Sequence, residues 1–247
     1  MRRLRPLLLL ALMLSTSIAF AQTPPENPYF SRRNTFGVFV AYSNDSSHIL
    51  LGAVEQRRLF DVGASYSRRL FQNRIVNWQY NGEILPVALE SDPLVHQVET
   101  ITSPLPGSFS TTYAPYGACH SGSGSFSETI DGMTFSYTYV DTCSRQWTIG
   151  EGISPVGFQW NFLPRRKLQP FLIGHGGYMY STQAIPVAQA GNFNFTFDLG
   201  VGLELYRTKT RSIRAEYRYH HISNHDTATA NPGIDNGLFQ VTYAFGR

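Results

Sequence analysis

The residues best suited to chemistry lie near the C-terminal end, in the runs Glu216 to Asn224 and Asn231 to Asp235. His221 and Ser223 stand two positions apart there. A serine hydroxyl is a weak nucleophile until a neighbouring base takes its proton, and that base works best when a third group orients it. His221 can serve Ser223 as that base, and Asp235 can orient the imidazole. Such a trio is defined by geometry and role, not by its order along the chain. The chemistry it could perform is attack of serine on an ester carbonyl, followed by hydrolysis of the acyl-enzyme. It calls for no cofactor and no metal.

The elements that would position these groups are strands. Ile213, Ala215, Tyr217 and Tyr219 alternate with Arg214, Glu216 and Arg218. Side chains alternate across a strand, so one face is apolar and the other charged. Continuing the count puts His221 and Ser223 together on the apolar face. His220 falls on the polar face, as an interior hydrogen-bonding residue. Asp235, also odd-numbered, begins the next strand. The same period recurs with more contrast from Phe193 to Leu205. There every odd residue is Phe, Leu or Val, and the even ones are Asn194, Thr196, Asp198, Gly200, Gly202 and Glu204. Phe36–Tyr42, Phe60–Tyr66, Val76–Ile84, Gly150–Phe162, Leu168–Thr182, Ser212–Asn224 and Gly237–Phe245 complete a set of eight.

Two architectures alternate in this way: a sandwich and a membrane barrel. The strands here are long, their ends are aromatic, and the polar faces carry Asp, Glu and Arg beside many glycines. That pattern favours an eight-stranded antiparallel transmembrane β-barrel with a polar interior. Connections near Gln72–Arg74, Leu163–Lys167 and Arg207–Arg211 are short. Those at Asn44–Leu59, Glu90–Ile149, Gln183–Asn192 and His225–Asn236 are long. Short inner turns alternating with long outer loops is the outer-membrane arrangement. His221 and Ser223 then face lipid at the outer rim, where a polar group costs less than at the bilayer centre. The competing reading is that the strand has merely reached the headgroups.

Targeting and charge agree with export. Arg2, Arg3 and Arg5 precede an apolar stretch from Pro6 to Phe20, and Ala19-Phe20-Ala21 offers a cleavage site, so residues 1–21 read as a signal peptide. The remaining residues, 22–247, form one domain with 17 basic and 17 acidic side chains. They carry no basic stripe of the kind nucleic acid needs. Cys119 and Cys143 are the only two cysteines, and in an exported chain they read as one disulfide, with two free thiols as the alternative. Glu90–Ile149, which holds both, is Ser-, Gly- and Thr-rich. It is expected to be an elaborated outer loop with a hairpin around Met133–Val140.

His221-x-Ser223-Asn224, followed by Asn231, Gly233 and Asp235, resembles the lipid A 3-O-deacylases, the PagL-type outer-membrane enzymes. The resemblance covers the last two strands closely and the barrel alternation loosely. It implies an eight-stranded barrel with its site on the outer surface, acting on lipid A of lipopolysaccharide in the outer leaflet. Carried over residue by residue, it makes Ser223 the nucleophile, His221 the base and Asp235 the acid. Asn231, Gly233 and the Asn224 position would serve the oxyanion and substrate. Two departures stand out. The acid is Asp where the family's characterised member has Glu, and the 90–149 insert has no counterpart in compact members. A non-enzymatic barrel, an adhesin or anchor built around that insert, is the alternative. Oligomeric state and acyl preference leave no trace in the sequence.

Overall fold

The computed structural model describes residues 28–103 and 105–247; the expected signal peptide lies outside them. Ten strands form: β1 (Asn34–Ser43), β2 (Arg58–Gln72), β3 (Val76–Ser103), β4 (Gly107–Tyr113), β5 (Gly122–Ile130), β6 (Met133–Phe162), β7 (Leu168–Ser181), β8 (Phe193–Thr208), β9 (Arg211–Ser223) and β10 (Ile234–Gly246). All neighbours pair antiparallel. Pairing of β1 with β10 and of β3 with β6 closes eight strands into a ring, and β4 and β5 lie outside it. Among the described residues no helix is long and apolar enough to cross a membrane. The strands carry a continuous row of exposed apolar residues on the outer wall.

Alternation explains the closure. The odd residues of β8 and β10, from Phe193 to Leu205 and from Phe239 to Phe245, are exposed on the outer wall. Their even neighbours are turned inward, where Asn194, Asp198, Glu204, Gln240 and Thr242 are buried. A barrel of eight strands is narrow enough for side chains to fill, and here they fill it with a polar network. Glu204 receives Arg32 Nη2 and Asn161 Nδ2, each at 2.6 Å. Arg214 Nη1 donates to Gln159 Oε1 at 2.7 Å, and Arg218 grips Glu83 through two bonds. These mutual bonds offset part of the cost of burying the groups.

The insert differs from the expected loop. β3 and β6 run on past the ring as one ladder, from Val76↔Phe162 to Ser103↔Ser136. β4 pairs with the end of β3 and β5 with the start of β6, giving a four-stranded extension in the order β4-β3-β6-β5. These strands escape a hydrophobic-period reading because both their faces meet water: every residue of β4 is exposed. Thr and Tyr, good on a pleated surface, hold the ladder instead. The expected hairpin is there, turning at Asp131-Gly132, both with positive φ, but its first strand is Gly122–Ile130.

Cys119 and Cys143 are joined, across a sequence separation of 24. The bond ties the 114–121 connection to β6, and that connection packs on the 44–57 connection of β1 and β2. Glu55 N–H donates to Tyr116 O at 2.8 Å. Ala118 N–H donates to Glu55 Oε2 at 2.9 Å, and Cys119 N–H to Gln56 Oε1 at 3.0 Å. In the chain-entropy view a closure of this length stabilises its segment by roughly 3 kcal/mol. Reduction is therefore expected to leave the ring folded while residues 105–146 become susceptible to protease. Gel analysis of proteinase K digests before and after reduction checks this; an equally resistant insert would show that the bond is dispensable.

Candidate functional site

β9 and β10 set the site by register. His221 lies directly opposite Asp235, and Tyr219 opposite Gly237. All four are odd-numbered and so share the outer face with Tyr217 and Phe239, which are exposed on the wall. Ser223 stands at the end of β9, one step of alternation beyond His221 and opposite Phe195 of β8. The strand thus delivers imidazole and hydroxyl to the same side, at its outer end.

His221 Nδ1 and Asp235 Oδ1 are 2.7 Å apart. The same oxygen accepts the Tyr219 hydroxyl at 2.8 Å. The other oxygen, Oδ2, accepts the backbone N–H groups of Leu50 at 2.7 Å and Leu51 at 2.8 Å. Four donors converge on one carboxyl, which only the ionised, acceptor-only form can satisfy. Nδ1 therefore carries the hydrogen, and Nε2 has no hydrogen-bond partner among the described residues. The imidazole is held on its flanks as well. Tyr219 stacks nearly parallel to it, with ring centroids 6.5 Å apart and planes 10° apart. Gly233, at φ +63°, brings its backbone so close that an added Cβ would sit 3.1 Å from His221 Cε1. A side chain at Gly52 would collide with Asp235, its Cβ falling 2.5 Å from the backbone nitrogen. Glycine at those two positions is what lets the loop and the β10 entry close around the acid.

Among the described residues the Ser223 hydroxyl has no hydrogen bond, so it is not engaged with His221 here. Catalytic contacts of this kind commonly tighten only when substrate is present. Asn231 is placed near the serine by its Oδ1, which accepts the Asn224 N–H at 3.1 Å. That bond uses the side-chain oxygen and leaves the amide N–H groups without a hydrogen-bond partner among the described residues. Asn224 itself does not offer its side-chain amide. Its Nδ2 donates to the carbonyls of Ala190 and Ala230, the latter at 2.7 Å, while its Oδ1 accepts from Asp226 N–H. Even parity turns Asn224 inward, and its side chain shapes the 224–233 loop.

Two contributors escaped the sequence reading. Tyr219 was an element of the apolar wall there, and its only distinguishing signal is a hydroxyl where the pattern would accept Phe. The Leu50 and Leu51 donors are backbone groups, to which side-chain identity is no guide. His220 behaves as its parity implies, buried and hydrogen-bonded to Asp198. Glu83, His175 and Asp198 form a buried interior group with atoms close enough for a shared cation. Arg218 already supplies positive charge there, on Glu83 and 3.5 Å from Asp198.

A family model described as lipid A 3-O-deacylase (PagL) matches residues 117–244, just over half of the chain. That span holds His221, Ser223 and Asp235. No curated protein matches in sequence. Among solved structures, the outer membrane enzyme PagL is 12% identical, with a TM-score of 0.46 over 85% of this chain and 99% of its own. Neisserial surface protein A is 11% identical, with a TM-score of 0.43 over 87% and 97%. Ail of Yersinia pestis, crystallised with the heparin analogue sucrose octasulfate, is 10% identical, with a TM-score of 0.39 over 87% and 100%.

Proposed function

The chain belongs to the lipid A 3-O-deacylase (PagL) family, a β-barrel of the bacterial outer membrane, and on that premise we propose that it is a serine esterase removing the 3-O-linked acyl chain of lipid A. The observation that carries the reading is the cross-strand His221–Asp235 pair, 2.7 Å apart on the lipid-facing side of the wall. Asp235 also anchors the 44–57 loop, but an acid that orients an imidazole beside a serine on the same face is the arrangement that nucleophilic catalysis needs. Facing lipid at the rim, they stand where an acyl ester of the outer leaflet arrives.

In this mechanism Ser223 Oγ rotates toward His221 Nε2, gives up its proton and attacks the ester carbonyl. Asp235 keeps the imidazole oriented and stabilises the imidazolium that forms. The Asn231 amide and the Gly233 backbone stabilise the developing oxyanion, where preorganised donors have their largest effect. Imidazolium then protonates the departing sugar oxygen. Water, deprotonated by the same imidazole, releases the fatty acid and restores the serine. The outer aromatics Tyr217, Phe195 and Phe197 give the acyl chain an apolar wall to lie on.

Lipid A from cells with and without the gene, compared by mass spectrometry, tests this reading. The expected product is lipid A lighter by one 3-hydroxyacyl chain, with that chain recovered as the free acid. Unchanged lipid A in cells that display the folded barrel would turn the reading toward a scaffold for the outer sheet.

A further inference from the structure

The 44–57 connection does not stand up from the barrel mouth. It folds back over the outside of β10. Ser47 N–H donates to Asp235 O at 3.3 Å and Ala53 N–H to Pro232 O at 2.6 Å, and Leu50 and Leu51 hold the Asp235 carboxylate. Asp235 has the parity of the lipid-facing row that continues through Phe239, Val241 and Tyr243. Its complete burial therefore comes from this loop and from Tyr219 and His221, not from the barrel interior. The loop must lie on the membrane side of the wall, at the rim.

The side chains of its tip follow from that placement. From Ile49 to Val54 the loop is uncharged and apolar apart from Gly52. Val54 turns inward, fully buried among core residues. Ile49, Leu50 and Leu51 turn outward and are 47, 74 and 66% exposed. Three consecutive large aliphatic residues directed away from the protein, continuous with the apolar belt and beside His221, fit a hydrocarbon environment. Polar groups bound the stretch on either side: His48 pairs with Glu55 at 3.4 Å, and Asp45 pairs with Arg58.

We propose that Ile49–Leu50–Leu51 is a lipid-inserted tip whose side chains seat among outer-leaflet acyl chains while its backbone holds Asp235 against His221. The seat in lipid stands on geometry alone; the consequence for turnover rests on the esterase reading. Lipid contact would then steady the loop that positions the acid, and present acyl chains to the adjacent serine.

Site-directed labelling tests it. The protein has no free cysteine among its described residues, so Leu50→Cys takes a single environment-sensitive fluorophore. The labelled full-length protein is reconstituted in phosphatidylcholine vesicles, with Ser125→Cys on the exposed outer sheet as the aqueous reference. The Leu50 label is expected to be quenched by chain-brominated lipid and protected from aqueous iodide, and the Ser125 label the reverse. Iodide quenching at Leu50 without bromolipid quenching overturns the proposal, as does protection that appears only when crosslinking reports a second copy covering the tip. Ile49→Ser changes the tip at a residue that makes no bond to Asp235, its N–H donating to Ser47 O instead. It is expected to lower deacylation of lipopolysaccharide in vesicles by about tenfold while leaving hydrolysis of a soluble short-chain ester unchanged. Equal activity of this variant in vesicles counts against the tip. Bromolipid quenching with a wild type that hydrolyses neither substrate would leave the tip standing and remove the esterase.

Discussion

Ser223→Ala is expected to abolish release of hydroxy fatty acid from lipopolysaccharide, with a fall on the order of 10⁶-fold, while Asp235→Asn falls on the order of 10⁴-fold. The two differ because their roles differ. Without Ser223 no acyl-enzyme can form. Without a carboxylate at 235 the nucleophile and base remain, but nothing fixes which imidazole nitrogen carries the hydrogen. The Asp235→Asn case is sharper here than a lost ion pair. Oδ2 receives two backbone N–H groups, from Leu50 and Leu51, and Oδ1 receives the Tyr219 hydroxyl and His221. An asparagine has one acceptor oxygen. Whichever way it turns, its NH₂ meets donors, so the variant must release either the imidazole or the 44–57 loop. Asp235→Glu makes the complementary point. The added methylene has to fit a cradle that Gly52 and Gly233 already close tightly, so Glu is expected to be slower than Asp in this chain. Fatty-acid release by purified, folded variants decides it. Full activity in Ser223→Ala would remove that residue from the chemistry, and full activity in Asp235→Asn would remove the acid.

How much of this could be read in advance depended on what each signal was made of. The parity of His221 and Ser223 was legible because their strand has one apolar and one charged row, so that a count of two settles which way a side chain points. The eight ring strands were legible for the same reason, and Asp198, Glu204, Arg214 and Arg218 are buried where their row places them. The insert was not. Ser108, Ser110 and Thr112 alternate with Phe109, Thr111 and Tyr113 in a strand with water on both sides, and without a buried face the sequence carries no hydrophobic period. The cradle of Asp235 was hidden for a different cause. It is built from backbone N–H groups some 185 residues away in sequence, and every residue type but proline offers such a donor. At Asn224 residue type alone does not say what the side chain does: its amide holds the Ala190 and Ala230 carbonyls, turned inward by an even number.

Arg218→Met is expected to produce the largest loss of stability, about 3–5 kcal/mol. Arg218 is buried, and its guanidinium meets Glu83 at 2.7 and 2.8 Å, Glu216 at 3.1 Å and Asp198 at 3.5 Å. Those acids come from β3, β9 and β8, so one cation joins opposite sides of the ring. A buried pair is weak evidence of net stabilisation, because desolvating both charges offsets their attraction; deleting one partner is different, since the other charges stay buried and uncompensated. Methionine keeps much of the volume and removes the charge. In urea, where slopes are about 1–3 kcal/mol per molar, the midpoint in detergent micelles should fall by more than about 1 M. Arg218→Met combined with Glu83→Gln should recover part of the loss, because one orphaned carboxylate goes with the substitution. No shift in the single variant, or no recovery in the double, would mean that water reaches the interior and screens these charges. The result bears on the outer site too. Arg218 pins β9 from within, one residue from Tyr219 and three from His221, so the strand that carries the base is clamped by charge on one face and works on the other.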